Sequence, residues 1–295
     1  MTQRTGMTML ATSDAASRLQ LPARVLTYLE ALVQSCAQDG PLLVSVVLFG
    51  SAAKGGFSGE VSDVDLIIVV SEDAPRAKRR RLGEDVARLE VLHRLRPATP
   101  HSPGGLRALI DRVMGHGFSC FVCTRGDMIS GDVGRVLDLR PLEALFVDRI
   151  VFASIVASAV TVWGEDLLPR VVAPPVRRLD VFKALYAFSG QVLASAVMFP
   201  LLSDATNYAM GTLKHSLHSC FFCYHGRTAA LEEEVDFFQR RLGPSQTLVE
   251  LLALRRQYRR SFAFVIRCLP ALVRLHLRTA WDNHFPLQRP ASTAS

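Results

Sequence analysis

The start of the sequence lacks a continuous apolar run. Met1–Leu21 is interrupted by Arg4, Asp14 and Arg18 and is rich in Thr, Ser and Ala. It reads as a loose leader over residues 1–20 rather than an export signal. Long charge-free runs are also scarce. Ala184–Ser203 approaches the roughly 20 residues that cross a bilayer, yet it contains Ser189, Gly190, Gln191, Ser195 and Pro200. A buried helix is the reading, with no membrane association. Cysteine is sparse, and its six residues include the C-x-x-C pairs Cys120/Cys123 and Cys220/Cys223. Zinc loops place polar or glycine residues between such cysteines, whereas here the interiors are Phe-Val and Phe-Phe. On a strand, positions three apart face opposite ways, so Cys120 and Cys123 would not converge on one ion. Thiols without an export signal point to a reducing cytoplasm.

What is present is core material. Hydrophobic residues make up 49% and charged residues 21% of 295 positions, a globular balance sufficient for two domains. The formal charge of +7 is unevenly placed. Residues 1–170 hold 19 Lys/Arg and 19 Asp/Glu, while residues 171–295 hold 15 and 8. The second part alone attracts anionic partners such as phosphates or RNA.

Periodicity supports the same division. Residues 18–38 repeat apolar side chains at helical spacing, and Leu42–Phe49 and Asp63–Val70 are short apolar runs of strand length. A basic helix from Arg76 to Leu95 follows, then a proline-containing loop, a short helix over Leu106–Met114 and a strand over Phe118–Thr124. Pro141–Ala159 reads as a helix and Val160–Trp163 as a last short strand. This alternation predicts an α/β mixed-sheet domain over 21–170. Beyond the hinge Val171–Pro175 no strand pattern appears. Four helices, Asp180–Pro200, Asp204–Tyr224, Thr228–Leu242 and Thr247–Arg278, predict a helical bundle over 176–288, with a tail over 289–295. Pro270 is expected to kink or divide the last helix.

The chemistry-bearing pattern is Leu48-Phe49-Gly50-Ser51, eleven residues, then Asp63-Val64-Asp65-Leu66. A side-chain period of two puts Asp63 and Asp65 on one face. Two parallel carboxylates at the head of a core strand repel unless a cation neutralises them. Oxygen donors select Mg2+ or Mn2+, whose open positions phosphates can fill. Gly50 lets backbone approach a phosphate, Ser51 adds a hydroxyl and an amide, and Lys54 adds positive charge near a triphosphate tail.

These residues resemble the DNA polymerase β-like nucleotidyltransferase superfamily over about Val44–Val70. Thr161-Val-Trp-Gly164-Glu-Asp-Leu resembles the strand that closes the catalytic domain in bacterial members. The two-part layout is similar to the aminoglycoside nucleotidyltransferases. The resemblance implies a nucleotidyltransferase that moves a nucleoside monophosphate from an NTP, ATP first, to an acceptor, releasing pyrophosphate. Asp63 and Asp65 would be catalytic and metal-binding, and Gly50 and Ser51 would hold the nucleotide. It implies a basic residue on the helical domain, Lys214 with Arg227 behind it, at the phosphates. It also implies a third carboxylate on a later strand. Phe118–Thr124 has none, and Asp127, Glu165 and Asp166 are the acids nearby. Either the base comes from elsewhere, or the acceptor needs none, or the chain is a weak or inactive nucleotide-binding or partner-binding member.

The acceptor is open between a small molecule such as an antibiotic and a tRNA or protein. Arg255, Arg256, Arg259 and Arg260 form an arginine stripe if helical, which suits RNA. Glu232–Glu234 and Asp236 form an acidic cluster, which suits a cationic small molecule. His215 and His218 share a helix face. Oligomeric state is not legible.

Overall fold

The computed structural model describes residues 19, 21–38, 42–53, 64–95, 120–137 and 149–287. Most of the leader, the spacer with Lys54 and Asp63, the helix expected at 106–114 and the tail lie outside these. The described residues divide into two units. One takes in the described positions through 95, 120–137 and 158–172, and the other takes in 149–157 and 173–287.

The first unit is built on a four-stranded sheet in the order β3-β2-β1-β4. The strands are β1 (Leu43–Phe49), β2 (Asp65–Val70), β3 (Cys120–Thr124) and β4 (Val160–Gly164). β1 pairs antiparallel with β2 and with β4, and β2 pairs parallel with β3. The sheet is therefore mixed, as the sequence pattern predicted. A parallel pair needs a crossover, and α3 (Arg76–Leu92) lies on it, after α1 (Ala23–Gln38) and the one-turn α2 (Gly50–Ala53).

The even-numbered strand residues Val46, Leu48, Leu66, Ile68 and Val70 form one core with Val25, Tyr28, Leu29 and Leu32 of α1 and Val86 of α3. Their odd neighbours Ser45, Val47, Ile67 and Val69 are also fully buried. Burial on both faces explains why these runs are continuously apolar rather than alternating. Cys120 packs with the even-face core, whereas Cys123 lies on the other face, opposite Val69. Lys78, Arg80 and Arg81 of α3 are exposed. Arg79 is half-buried and stands 3.9 Å from Asp127.

The sheet's edge is finished by β4. Gly164 pairs with Ser45 at φ +81, and a Cβ there would overlap the Val44 carbonyl oxygen. Only glycine meets both demands. Two short helices, α4 (Arg125–Ser130) and α5 (Val133–Val136), follow β3 and contact it.

The second unit is helical. It comprises α6 (Arg149–Ser158), α7 (Arg178–Val197), α8 (Ala205–His225), α9 (Leu231–Leu242), α10 (Gln246–Arg256) and α11 (Phe262–Asp282). Phe188 and Val192 of α7, Leu217 and Phe221 of α8, Phe238 of α9, Leu251 of α10 and Phe264 of α11 share one core, joined by Ile150 of α6. Cys220 and Cys223 lie in that core on α8. Among the described residues no helix is long and apolar enough to cross a membrane. The charge-free run is divided, since α7 ends at Val197 and Pro200 lies in the turns that follow.

The expected single helix over Thr247–Arg278 is two, and Pro270 is not the break. α11 runs through Pro270, losing one intrahelical bond there while its apolar face stays buried. The break is at Gln257–Ser261, which tertiary bonds hold open. Tyr258 donates to the Ser203 carbonyl at 3.1 Å. Ser261 N–H donates to Thr206 Oγ1 at 2.9 Å, and Ser261 Oγ caps Phe264 N–H.

The arginine stripe is lost with that break. Arg255 and Arg256 end α10, while Arg259 and Arg260 lie in the extended link. Arg259 and Arg267 both pair with the buried Glu250, and Arg260 donates to the carbonyls of Phe199 and Leu202.

One buried group predicts a pH-dependent stability for this unit. His276 is fully buried, its Nδ1 lies 3.0 Å from the Leu272 carbonyl, and its Nε2 has no partner among the described residues. Burial pushes its pKa down to about 4 from 6.5. A depressed histidine is neutral when folded, so its contribution is full above pH 6.5 and is lost as pH falls toward 4. Urea titrations should show the native protein losing up to roughly 3 kcal/mol from this group over that window. His276→Gln should flatten that part of the pH dependence, and an unchanged slope would contradict the assignment.

Candidate active site

The site begins where β1 ends. Phe49 is the register partner of Asp65, so the residue that follows Phe49 must turn beside the head of β2. Gly50 does so at φ +71, a left-handed conformation that costs L side chains about 1–2 kcal/mol. Space is the second constraint. A Cβ on Gly50 would overlap Asp65 Oδ2 and stand 2.9 Å from its Cγ. The Asp65 carboxylate thus rests against the bare backbone of the bend, at the edge of a buried strand and partly open to solvent. Ser51 is the second residue of the turn α2 that starts there. A polar strand head beside a glycine bend brings carboxylate oxygens and turn amides together, a donor set suited to a hard cation and a phosphate.

Asp63 and Lys54 lie outside the described residues, as does the side chain of Ser51. Lys214 is half-buried on α8 of the helical unit. The structure thus brings Gly50 and Asp65 together and places Ser51 in the same turn. Among the described residues no group of three or more His, Cys, Asp or Glu converges on a metal position.

The acids considered for a third carboxylate are elsewhere. On β3, paired residues share a face with β2, so Phe121, opposite Ile67, stands on the Asp65 face. Its ring stacks on Phe49 at 6.1 Å. Asp127 follows Thr124, which pairs with Val70 at the far end of β2, about 17 Å along the strand from Asp65 at 3.3 Å per residue. It caps α4 instead, its Oδ2 accepting from Thr124 Oγ1 at 2.8 Å. Asp127 therefore does not reach back. Glu165 follows Gly164, the partner of Ser45, again at the end of β1 away from Gly50. Arg125, donating at 2.7 Å, holds the Glu165 carboxyl below its ordinary range, and Arg170 adds to this. Asp166 accepts from Thr161 Oγ1 at 2.7 Å and from Leu168 N–H, two strands across from Asp65. All three acids have structural partners that the linear spacing did not disclose.

In the helical unit, His218 Nδ1 meets the fully buried carboxylate of Glu234 at 2.7 Å. His218 is thus engaged with α9, while His215 is exposed on α8. The acidic cluster is also smaller than its sequence suggests. Glu234 is buried and Glu233 pairs with Arg227 at 2.5 Å, which leaves Glu232 and Asp236 exposed.

The contact of Gly50 with Asp65 makes a coupled prediction. Gly50→Ala should destabilise the first unit by about 1–3 kcal/mol through strain and overlap. Part of that loss, on the order of 1 kcal/mol, should vanish in the Gly50→Ala/Asp65→Ala pair, because the second change removes the overlapped atom. Strictly additive denaturation energies would show that the two residues do not touch.

Comparison with known proteins bears on this site. Residues 29–100 match the family model of the nucleotidyltransferase domain, a segment that contains Gly50, Ser51, Lys54, Asp63 and Asp65. No curated protein matches the sequence. Among solved structures, the spectinomycin adenyltransferase AAD(9) from Enterococcus faecialis, crystallised with ATP and spectinomycin, is similar at 12% identity and a TM-score of 0.48. That similarity covers 85% of this chain and 96% of that one. The match identifies a nucleotidyltransferase domain over residues 29–100 of this chain.

Proposed function

We propose that the chain transfers a nucleoside monophosphate from an NTP, ATP first, to a hydroxyl of a small-molecule acceptor and releases pyrophosphate. The observation that carries this reading is the Asp65 carboxylate seated against the Gly50 bend, inside the segment that matches the nucleotidyltransferase domain. Asp65 with Asp63 would hold Mg2+ or Mn2+. A divalent ion bound there supplies Lewis-acid polarisation of the phosphoryl oxygens and neutralises charge on the leaving pyrophosphate. Magnesium needs only one or two protein carboxylates, with phosphates and water completing its shell, so the donor set fits.

The chain's own groups divide the remaining work. Gly50 admits the phosphates close to backbone, and the amides and hydroxyl at Ser51 orient them, holding the α-phosphorus near the carboxylates. Lys54 is assigned to the triphosphate tail, and Lys214, on α8, is a further candidate phosphate contact. A small acceptor is favoured over an RNA because the arginines that would have formed a continuous backbone-binding stripe are engaged with Glu250 and with helix-end carbonyls.

A second reading rests on one observation. β3 presents Phe121 on the Asp65 face and carries no acid. A chain that binds nucleotide without turning it over would have this arrangement. Calorimetry separates the two, since nucleotide binding with no pyrophosphate formed across a broad acceptor panel favours the inert module.

Label transfer from each α-labelled triphosphate into small molecules of a cell extract is the direct test. Asp63→Ala and Asp65→Ala should each lower magnesium-dependent incorporation by at least roughly 100-fold, the scale of losing a principal transition-state contact. Equal incorporation by all three proteins would remove the assignment. Lys214→Ala should raise KM for the triphosphate roughly tenfold and leave kcat nearly unchanged, the pattern of a lost binding contact. An unaltered KM would take Lys214 out of the site.

A further inference from the structure

The helical unit has a basic hollow lined by none of the residues assigned to the transfer reaction. It measures about 400 Å³ and is lined by Arg241, Leu242, Arg274, Leu277, Arg278 and Trp281. Arg274, Leu277, Arg278 and Trp281 lie at i, i+3, i+4 and i+7, which is one face of α11. Arg241 and Leu242 end α9.

The arginines are held rather than loose. Arg241 lies over the Tyr224 ring at 4.6 Å and donates from Nε to Asp282 Oδ2 at 2.7 Å. Arg278 donates to the same oxygen from Nε at 2.9 Å, and Arg274 donates to the Leu242 carbonyl. Burial works against the Asp282 charge, but bonds from Arg241, Tyr224 and Arg278 outweigh it and hold the carboxyl below its ordinary range. Three guanidiniums face one carboxylate and one helix C-terminus, so the hollow stays positive. Fixed guanidiniums lose little further entropy when they bind an anion.

Trp281 is the second observation. It is 71% exposed, an unusual position for the largest apolar side chain, and it stands at the rim of this charged hollow. An indole face beside guanidiniums accepts a flat ring by stacking while the guanidiniums take an attached phosphate.

We propose that this hollow binds a nucleoside phosphate, its base on Trp281 and its phosphate on Arg274 and Arg278, as an accessory site separate from Asp65. The ligand is either a free mononucleotide or a nucleotide of a single-stranded RNA, which present the same chemistry. The proposal does not depend on turnover at Asp65.

Binding of 5′-AMP and of a hexa-adenylate is measured by calorimetry on the full chain, with metal chelated. Trp281→Ala and Arg278→Glu change side chains that are largely exposed, and circular dichroism checks their folding. Each should weaken AMP binding at least roughly tenfold, the scale of one lost base stack. Label transfer should be unchanged, because neither residue is assigned to that reaction. Tighter hexamer binding with a steep salt dependence identifies RNA as the source, and equal affinity identifies the free nucleotide. Inorganic phosphate should compete without needing Trp281. No AMP or hexamer binding by the native chain, or equal affinity in both folded variants, overturns the proposal.

Discussion

The space that a side chain at position 50 would occupy is filled by the carboxylate of Asp65, and the geometry of the first unit converges on that exclusion. Antiparallel pairing of β1 with β2 sets Phe49 opposite Asp65. The chain must then leave the sheet at once, through a left-handed residue with no Cβ. A one-residue slip in register would turn Asp65 into the core and bring a buried aliphatic residue to the bend. Continuous burial of Val46–Leu48 and Leu66–Val70 makes that slip costly, so the hydrophobic core specifies where the carboxylate lies.

The two ends of the sheet have different uses. At the Gly50 end, carboxylate oxygen and turn backbone meet partly in solvent. At the other end Asp127 closes a helix cap and Glu165 binds Arg125 and Arg170, so those acids stabilise connections. Their distance from Asp65 follows from strand direction. β3 runs parallel to β2, and a residue after its last position lies at the far end by construction. The strand beside Asp65 offers Phe121 stacked on Phe49, an aromatic wall where the family resemblance implied an acid.

Charge in the helical unit shows why composition is a poor map of surface. Much of the excess of arginine is spent on structure. Arg259 and Arg267 neutralise a buried glutamate, Arg260 and Arg274 hold helix-end carbonyls, and Arg241 and Arg278 share Asp282. Long aliphatic stems allow such residues to cover apolar surface while their heads bind backbone. Among the positive features that remain is one hollow with an exposed indole in its lining.

The mixed sheet, the helical second unit and the glycine–aspartate pairing were legible from residue order alone, because each depends on neighbours in sequence. Apolar runs of strand length, period-3.6 helices and the spacing of a bend from a strand head are local properties. Partnership across the chain was not legible. The break at Gln257–Ser261 is held by Ser203, Thr206 and Phe199, more than fifty residues away. Asp127 was close in sequence to the strand that mattered but at its wrong end. Local spacing determined which groups could carry the chemistry. Strand direction and long-range hydrogen bonds, which no window of sequence contains, decided which of them stand together.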